Sequence, residues 1–349
     1  MNTDKISIII PIFNAQDYID TCLESLVTQT YGIENIEILC INDCTPDKSM
    51  DIVQTYKKRF PNSIKIINHK KNKGPGGARN TGLANATGAY ITFADPDDYL
   101  DTNAYKYILT KMQKDDIQLA CFNFDFFTNS GEKLIRPRPF DSLFTEEIEI
   151  SHDILLSKYP EFIHSMSVWN KIYKRKLLQN ITPFPKNQLF NEDARFSTEC
   201  FLNASKILFS DKIFYHYRRN HSKNTATNKM YDVKESYGFH LTHLKYLNAF
   251  KSKYPQLSNE IGTLSINNWY QFIHNIIINS NPHFTTKEQL YYFKETKRLF
   301  TNVKISKCPK GVYPHPKALF LAFKISPSFF VVKIIYKLLY KLSTLKKYL

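Results

Sequence analysis

The chain is predicted to be an α/β protein: a mixed, mostly parallel sheet flanked by helices, followed by a helical C-terminal region. Three observations predict this. Short runs of β-branched residues without polar alternation mark strands buried on both faces. Segments with apolar residues at three- and four-residue spacing lie between those runs. The two patterns alternate through the first hundred residues, as strand–helix units wound into a parallel sheet require.

The first strand is Ile6-Ser7-Ile8-Ile9-Ile10, and Ile19, Cys22, Leu23, Leu26 and Val27 then recur at helical spacing. A second buried strand covers residues 36–41, and Ile52, Val53, Tyr56 and Phe60 mark a second helix. Residues 64–67 form a third strand, a glycine-rich turn opens a helix over 76–86, and residues 90–94 are the fourth strand. Beyond residue 105 the pattern loosens. Residues 119–127 read as a strand, 136–139 as a loop, and 191–202 as a helix capped by Asn191. Residues 207–209 and 213–217 read as two short strands. From about residue 231 the chain reads as helical, with breaks near Pro255, Pro282 and residues 309–316. The expected divisions are 1–105, 106–228 and 229–349.

With 349 residues the chain can hold two domains, and 43% hydrophobic with 23% charged residues is ordinary for a core-forming protein. The formal net charge of +15 is not ordinary and implies an anionic partner. Cysteines 22, 40, 44, 121, 200 and 308 show neither a CxxC pair nor zinc-ligand spacing, so they read as free thiols of a reducing compartment. The first residues lack signal-peptide architecture, and no stretch has the roughly 20 apolar residues that span a bilayer. A cytoplasmic protein is expected.

Ligands of parallel α/β sheets bind at the carboxyl ends of the strands, so the loop leaving each strand matters. The four loops are Pro11-Ile12-Phe13-Asn14-Ala15, then Asn42-Asp43-Cys44-Thr45-Pro46-Asp47, then residues 72–80, then Asp95-Pro96-Asp97-Asp98. Polar, acidic and glycine-rich residues thus converge on one edge. Taken singly, Asn42-Asp43 is an ordinary Asx turn. The glycines Gly74, Gly76 and Gly77 match neither a dinucleotide fingerprint nor a P-loop. Three carboxylates within four residues repel one another, and an oxygen-rich site of that kind suits Mg²⁺ or Mn²⁺ with phosphate oxygens completing the shell.

Residues 6 to about 105 resemble the catalytic domain of family 2 glycosyltransferases, inverting enzymes with the GT-A fold. The motifs that carry the resemblance are Ile8-Ile9-Ile10-Pro11-Ile12-Phe13-Asn14, Ile41-Asn42-Asp43, residues 76–82 and residues 93–100, in that order and spacing. The resemblance implies a nucleotide-sugar donor, with UDP favoured, and assigns roles. Pro11, Phe13 and Asn14 would line the base and ribose pocket, and Asp43 would bond the base. Arg79 would lie near the base or diphosphate. Asp95 would face the ribose and the metal, and Asp97 would be the direct metal ligand, with Asp98 shaping the turn. One departure stands out: the family's usual Asp-Gly-Ser after strand two is here Asp43-Cys44-Thr45.

Inverting transfer needs one general base for the acceptor hydroxyl, whereas glycosidases need two carboxylates flanking the bond. The downstream candidate is Glu192-Asp193. Two acids in the first turn of a helix also suit its dipole, so the pattern alone does not decide. The resemblance makes Asp193 the base and Glu192 its support. Trp169, in a segment recurrent among bacterial members, reads either as a sugar-stacking ring or as a core residue. Arg218 and Arg219 open a polar stretch to residue 229 that reads as a lid or as a surface loop. His216 reads as structural.

Residues 317–349 carry seven lysines and no acid, with Lys333, Lys337 and Lys341 on one helical face. This pattern suits a helix lying in an anionic membrane interface on the inner face of the cell membrane. The alternative is a helix packed on the body or on a second copy in a homo-oligomer. No nucleic-acid recognition motif accompanies the charge. The resemblance implies as acceptor a hydroxyl of a glycan or of a lipid-linked acceptor in surface polysaccharide synthesis, such as capsule or lipopolysaccharide. Two other readings are a catalytically inactive nucleotide-sugar-binding or membrane-docking module and a sugar-nucleotide pyrophosphorylase. The pyrophosphorylase requires a Gly-rich basic loop directly after strand one, which residues 11–14 are not.

Overall fold

The computed structural model describes residues 5–131, 133–134, 146–159, 162, 167–185, 192–219 and 233–258, with scattered positions from 261 to 294. The expected cap at Asn191, the 136–139 loop, the 220–229 stretch and the basic tail lie outside the described residues. The chain forms two compact units, Met1–Lys229 and Met230–Leu349.

In the first unit β1 (Ile6–Ile12), β2 (Ile36–Asn42), β3 (Ile64–Asn68) and β4 (Tyr90–Phe93) pair in parallel in the order β3-β2-β1-β4. The first two strands are continuous isoleucine-rich runs because both faces are covered; every residue of β1 is buried. α1 (Ile19–Val27), α2 (Ser49–Arg59) and α3 (Gly74–Asn85) form the crossovers. Gly82 brings α3 down onto β1, since a Cβ there would meet the Ile9 side chain at 2.3 Å.

The sheet then continues in mixed sense. β5 (Tyr99–Leu100), α4 (Ala104–Lys114), β6 (Leu119–Phe127), β7 (Lys133–Leu134), β8 (Ile148–Ser151), α5 (His152–Lys158), β9 (Lys171–Lys174), α6 (Arg175–Leu178), α7 (Glu192–Asn203) and β10 (Lys206–Arg218) come next along the chain. β9 runs antiparallel between β4 and β6, and β6 pairs in parallel with β10. The two short strands expected at 207–209 and 213–217 are one. Asp211-Lys212 interrupts the apolar pattern, but it is a bulge rather than a turn: the register jumps from Ser210 opposite Phe122 to Ile213 opposite Asn123. Asn123 Nδ2 donates to the bulged Asp211 carbonyl at 3.0 Å, which keeps the ladder satisfied.

In the second unit α8 (Val233–Lys253) buries Leu244, Leu247 and Phe250 at helical spacing and ends in the 3₁₀ turn Pro255–Leu257, at the break expected from Pro255. No helix among the described residues is long and apolar enough to cross a membrane. The five described cysteines are free thiols, and burial pushes Cys40 up to about 12.

Candidate functional site

The loops after β1 and β2 are laced together. Asn14 N donates to Thr45 Oγ1 at 2.8 Å, Ala15 N to Ser49 Oγ at 3.1 Å and Gln16 N to Asp47 Oδ2 at 2.9 Å. Asp47 Oδ1 in turn accepts from Thr45 Oγ1 and from Ser49 Oγ, both at 2.6 Å. Burial opposes its charge, but these donors outweigh it and hold Asp47 below the ordinary carboxylate range. Pro11 is buried in β1 opposite Ile41, while Phe13 stands 46% exposed over this seam.

Asn42 and Asp43 do different things. Asn42 makes the ordinary turn, its Oδ1 accepting from Thr45 N at 2.9 Å. Asp43 turns inward and is 2% exposed, its Oδ1 taking bonds from His69 Nδ1 at 2.7 Å and Lys73 N at 2.8 Å. Cys44, standing where the family usually has glycine, keeps the glycine conformation: its φ is +61°. A left-handed non-glycine residue costs on the order of 1 kcal/mol, so the turn holds its shape at the expense of backbone strain.

The acidic turn after β4 is held from below. Tyr215 Oη donates to Asp98 Oδ2 at 2.7 Å and accepts from Asp95 N at 3.1 Å. Arg218 N donates to Asp98 Oδ1, and Arg218 Nε to the Asp97 carbonyl, both at 2.8 Å. Asp98 therefore shapes the turn. Arg218 is no loose lid residue: its guanidinium is sandwiched between Phe127 at 4.4 Å and Tyr18 at 4.9 Å. Trp169 is buried and stacks on Tyr215 at 4.4 Å, so it buttresses the turn as a core residue. His216 is also structural, bonded through Nδ1 to Asp125 at 2.6 Å and stacked on Tyr99.

Burial and the neighbouring acids push the Asp98 carboxyl well above the ordinary range despite its two donors, and Asp97 is shifted the same way. Burial, and then the Asp95 charge, pushes the Asp97 carboxyl up to about 7. Among the described residues no group of three or more His, Cys, Asp or Glu is arranged to hold a metal ion. Asp95 and Asp97 are the other two carboxylates on this turn.

Arg79 joins this turn to the downstream acids. Its Nη2 donates to Asp95 Oδ1 at 3.0 Å and its Nη1 to Glu192 Oε1 at 2.9 Å. Burial works against the guanidinium charge, but Asp95, Glu192 and Asp193 together raise its pKa further. The next residue, Asn80, clamps the chain before α7: its Nδ2 donates to the Phe184 carbonyl at 2.8 Å and its Oδ1 accepts from Phe184 N at 2.9 Å. Phe184 stacks on Phe196 of α7 at 4.2 Å. Gly76 allows the close approach, since a Cβ there would meet Pro185 O, Glu192 Cγ and Phe184 Cβ at 3.2–3.3 Å.

Asp193, one residue into α7, is half-buried, and its Oδ1 accepts from Ala194 N at 2.8 Å. Burial first, and then Glu192, pushes it up to about 7 against the pull of Arg79. The structure thus brings Arg79, Asp95, Glu192 and Asp193 into one charged cluster, with Asp97 beside Asp95 and Asp43 in the neighbouring loop seam. Sequence reasoning misses His69, Asn80 and Tyr215, whose roles depend on partners 26 to 120 residues away. The Arg79-Asn80 dipeptide offers the one usable signal, a polar pair inside a glycine-rich helix.

The sequence profile of glycosyl transferase family 2 matches residues 7–182. The chain is 32% identical over 232 residues to the uncharacterized glycosyltransferase YibD of Escherichia coli K12, which covers 66% of this chain and 65% of that protein. It is 34% identical over 216 residues to the poly(ribitol-phosphate) β-glucosyltransferase of Bacillus spizizenii W23, covering 61% of this chain and 32% of the relative. The matches therefore span about two-thirds of the one curated relative and about a third of the other. Its fold is that of the crystal structure of S. aureus TarS 1–349 in complex with UDP-GlcNAc, with a TM-score of 0.66 and 22% identity over 86% of this chain and 82% of that one. This is the GT-A arrangement.

Proposed function

Because the chain belongs to glycosyl transferase family 2, we propose that it moves a sugar, with inversion, from a nucleoside diphosphate donor to a hydroxyl of a surface glycan or lipid-linked acceptor. The observation that carries this reading is the Arg79 bridge, where one guanidinium holds Asp95 of the acidic turn and Glu192 at the start of α7. Donor-side and base-side carboxylates meet on a single group. The reading takes a UDP-sugar as donor, supported by the UDP-GlcNAc bound to the TarS structure.

Asp43 accepts from the nucleobase, Pro11, Phe13 and Asn14 line the base and ribose pocket, and Asp95 faces the ribose. Asp97 with Asp95 fits a divalent cation, because a carboxyl pushed up to about 7 by burial and a like charge is relieved by one. Two protein carboxylates with phosphate oxygens completing the shell is the ordinary arrangement for Mg²⁺ or Mn²⁺. When bound, the cation offsets charge on the departing diphosphate. Asp193 takes the acceptor hydroxyl proton as that oxygen attacks C1 of the sugar. Its pKa near 7 matches it to a proton transfer at neutral pH. Glu192 is occupied by Arg79, so it orients the helix start and does not receive the proton.

The direct test is nucleoside diphosphate release from a panel of UDP-sugars with Mn²⁺, on glycan and polyol-phosphate acceptors. Asp97→Ala should lose the metal-dependent turnover. Full turnover in that variant would remove Asp97 from its role, and no release from any nucleotide sugar would remove the reading.

The acceptor side draws on charge. Residues 230–349 hold 18 Lys and Arg against 5 Asp and Glu, so nearly all of the net positive charge lies in the second unit. With a poly(ribitol-phosphate) enzyme among the relatives, a phosphate-bearing polymer is the first acceptor to try. The same charge favours attachment to an anionic membrane face. Deleting residues 328–349 should abolish co-sedimentation with anionic liposomes; unchanged sedimentation would leave that segment packed on protein.

A further inference from the structure

The nucleobase carboxylate does not stand alone at the end of β2. His69 lies just past the edge strand β3, and its imidazole is only 3% exposed. Nδ1 lies 2.7 Å from Asp43 Oδ1, and Nε2 lies 2.8 Å from Thr81 Oγ1 on α3. The Thr81 hydroxyl is itself within 3.1 Å of the Gly77 carbonyl. A carboxylate only accepts, so Nδ1 carries a hydrogen and donates it to Asp43. The ring is therefore anchored at both nitrogens, one on the carboxylate and one on the helix that carries Arg79.

We propose that His69 is the positioning residue that makes Asp43 selective for a base presenting a ring N–H, as uracil does, over one presenting a ring lone pair, as cytosine does. The proposal rests on the reading of Asp43 as the nucleobase contact. Oδ1 already receives two bonds, from His69 and from the Lys73 backbone. That pair fixes the carboxylate torsion, and among the described residues Oδ2 makes no hydrogen bond. It is the oxygen left for the ligand. A pinned, ionised acceptor gains a charge-assisted bond from an N–H and opposes a lone pair at the same place. Without the imidazole the carboxylate keeps only the Lys73 bond and can turn, so its oxygen is no longer held against the base edge. The Cys44 thiol, 3.2 Å from the His69 carbonyl, ties the backbone of the same residue to the turn after β2.

The experiment is equilibrium binding of UDP and of CDP to the full chain by calorimetry. The proteins are the natural one, His69→Ala, His69→Asn and Asp43→Asn. The natural protein should prefer UDP. His69→Ala should weaken UDP binding about tenfold, the size of one charge-assisted bond, and CDP binding by less than about twofold. The asparagine variant, whose amide can donate from near the Nδ1 position, should recover most of the preference. With a UDP-sugar the alanine variant should show the loss in KM rather than kcat, which a general loosening of the fold would not produce. Should His69→Ala fail to fold, Thr81→Val removes the far anchor of the ring, and a smaller fall in the same UDP:CDP ratio is expected. An unchanged ratio in the folded His69 or Thr81 variants overturns the proposal. If Asp43→Asn alone abolishes the preference, the nucleobase reading survives that failure. A natural protein with no preference, or an Asp43→Asn variant that keeps it, overturns the nucleobase reading itself.

Discussion

Asp193→Asn should lower transfer about 10²–10⁴-fold, the range expected for loss of a general base, while donor affinity changes by less than about twofold. The variant keeps the size and the Ala194 contact of the side chain but cannot take a proton. The carboxyl standing near 7 also sets the pH dependence. In the natural protein kcat/KM should be flat above about pH 7 and fall tenfold per unit below it, because only the ionised form accepts the proton. Stability should run the other way. A carboxyl raised from the unfolded value of about 3.9 binds its proton more tightly in the fold, so its contribution is full below that value and is lost as pH rises through about 7. Asp97 adds a second group of the same sign. Asp193→Asn cannot ionise, so at pH 8 its Tm should equal or exceed that of the natural protein. Undiminished transfer by the variant would exclude Asp193 as the base; a lower Tm at pH 8 would trace the lost activity to folding.

Arg79→Ala should be the most damaging single change to stability, at about 3–5 kcal/mol, because it strands the buried Glu192 and the partly buried Asp95 without their cation. The guanidinium is buried and forks to two partners, Asp95 at 3.0 Å and Glu192 at 2.9 Å, with Asp193 close enough to raise its pKa. Lysine does not rescue such a position, since its single ammonium cannot reproduce the planar fork. Arg79→Lys should therefore recover less than half of the lost stability in urea titration. Activity should fall in both variants, since the acidic turn and the start of α7 lose their common anchor. A midpoint within about 0.5 kcal/mol of the natural protein for Arg79→Ala would show that the bridge carries no net stability, as an exposed pair would.

Several parts of this arrangement are legible in the residue order alone. The isoleucine runs of β1 and β2 declare themselves because a strand covered on both faces cannot alternate. The acidic turn is legible because Asp95, Asp97 and Asp98 crowd three like charges into one loop. The cysteine in place of glycine at position 44 is visible as a sequence difference, but not that Cys44 adopts the left-handed conformation of the residue it replaces. The bulge in β10 is hidden because a polar pair in an apolar run looks the same whether the chain turns or bulges; the Asn123 bond that decides it comes from another strand. The short strands β5, β7, β8 and β9 leave no readable pattern. They are two or four residues long and lack the uninterrupted run of β-branched and aromatic residues that makes the equally short β4 legible, so only the neighbours that supply their hydrogen bonds reveal them.

The acidic turn separates the two levels. Residue order is enough for the α/β class, for the order of the loops on the sheet edge, and for the set of acids available there. Which partner each of those acids meets is decided by the folded chain. Asp98 is tied down by Tyr215 and Arg218, Asp95 is paired to Arg79, and Asp97, half-buried, feels the like charge of Asp95. The reason is physical. Composition and spacing state which charges are near in the chain, but the energy of a carboxylate depends on its burial and on donors within about 3 Å. Here those donors come from residues up to 120 positions away, brought together by the closing of the sheet.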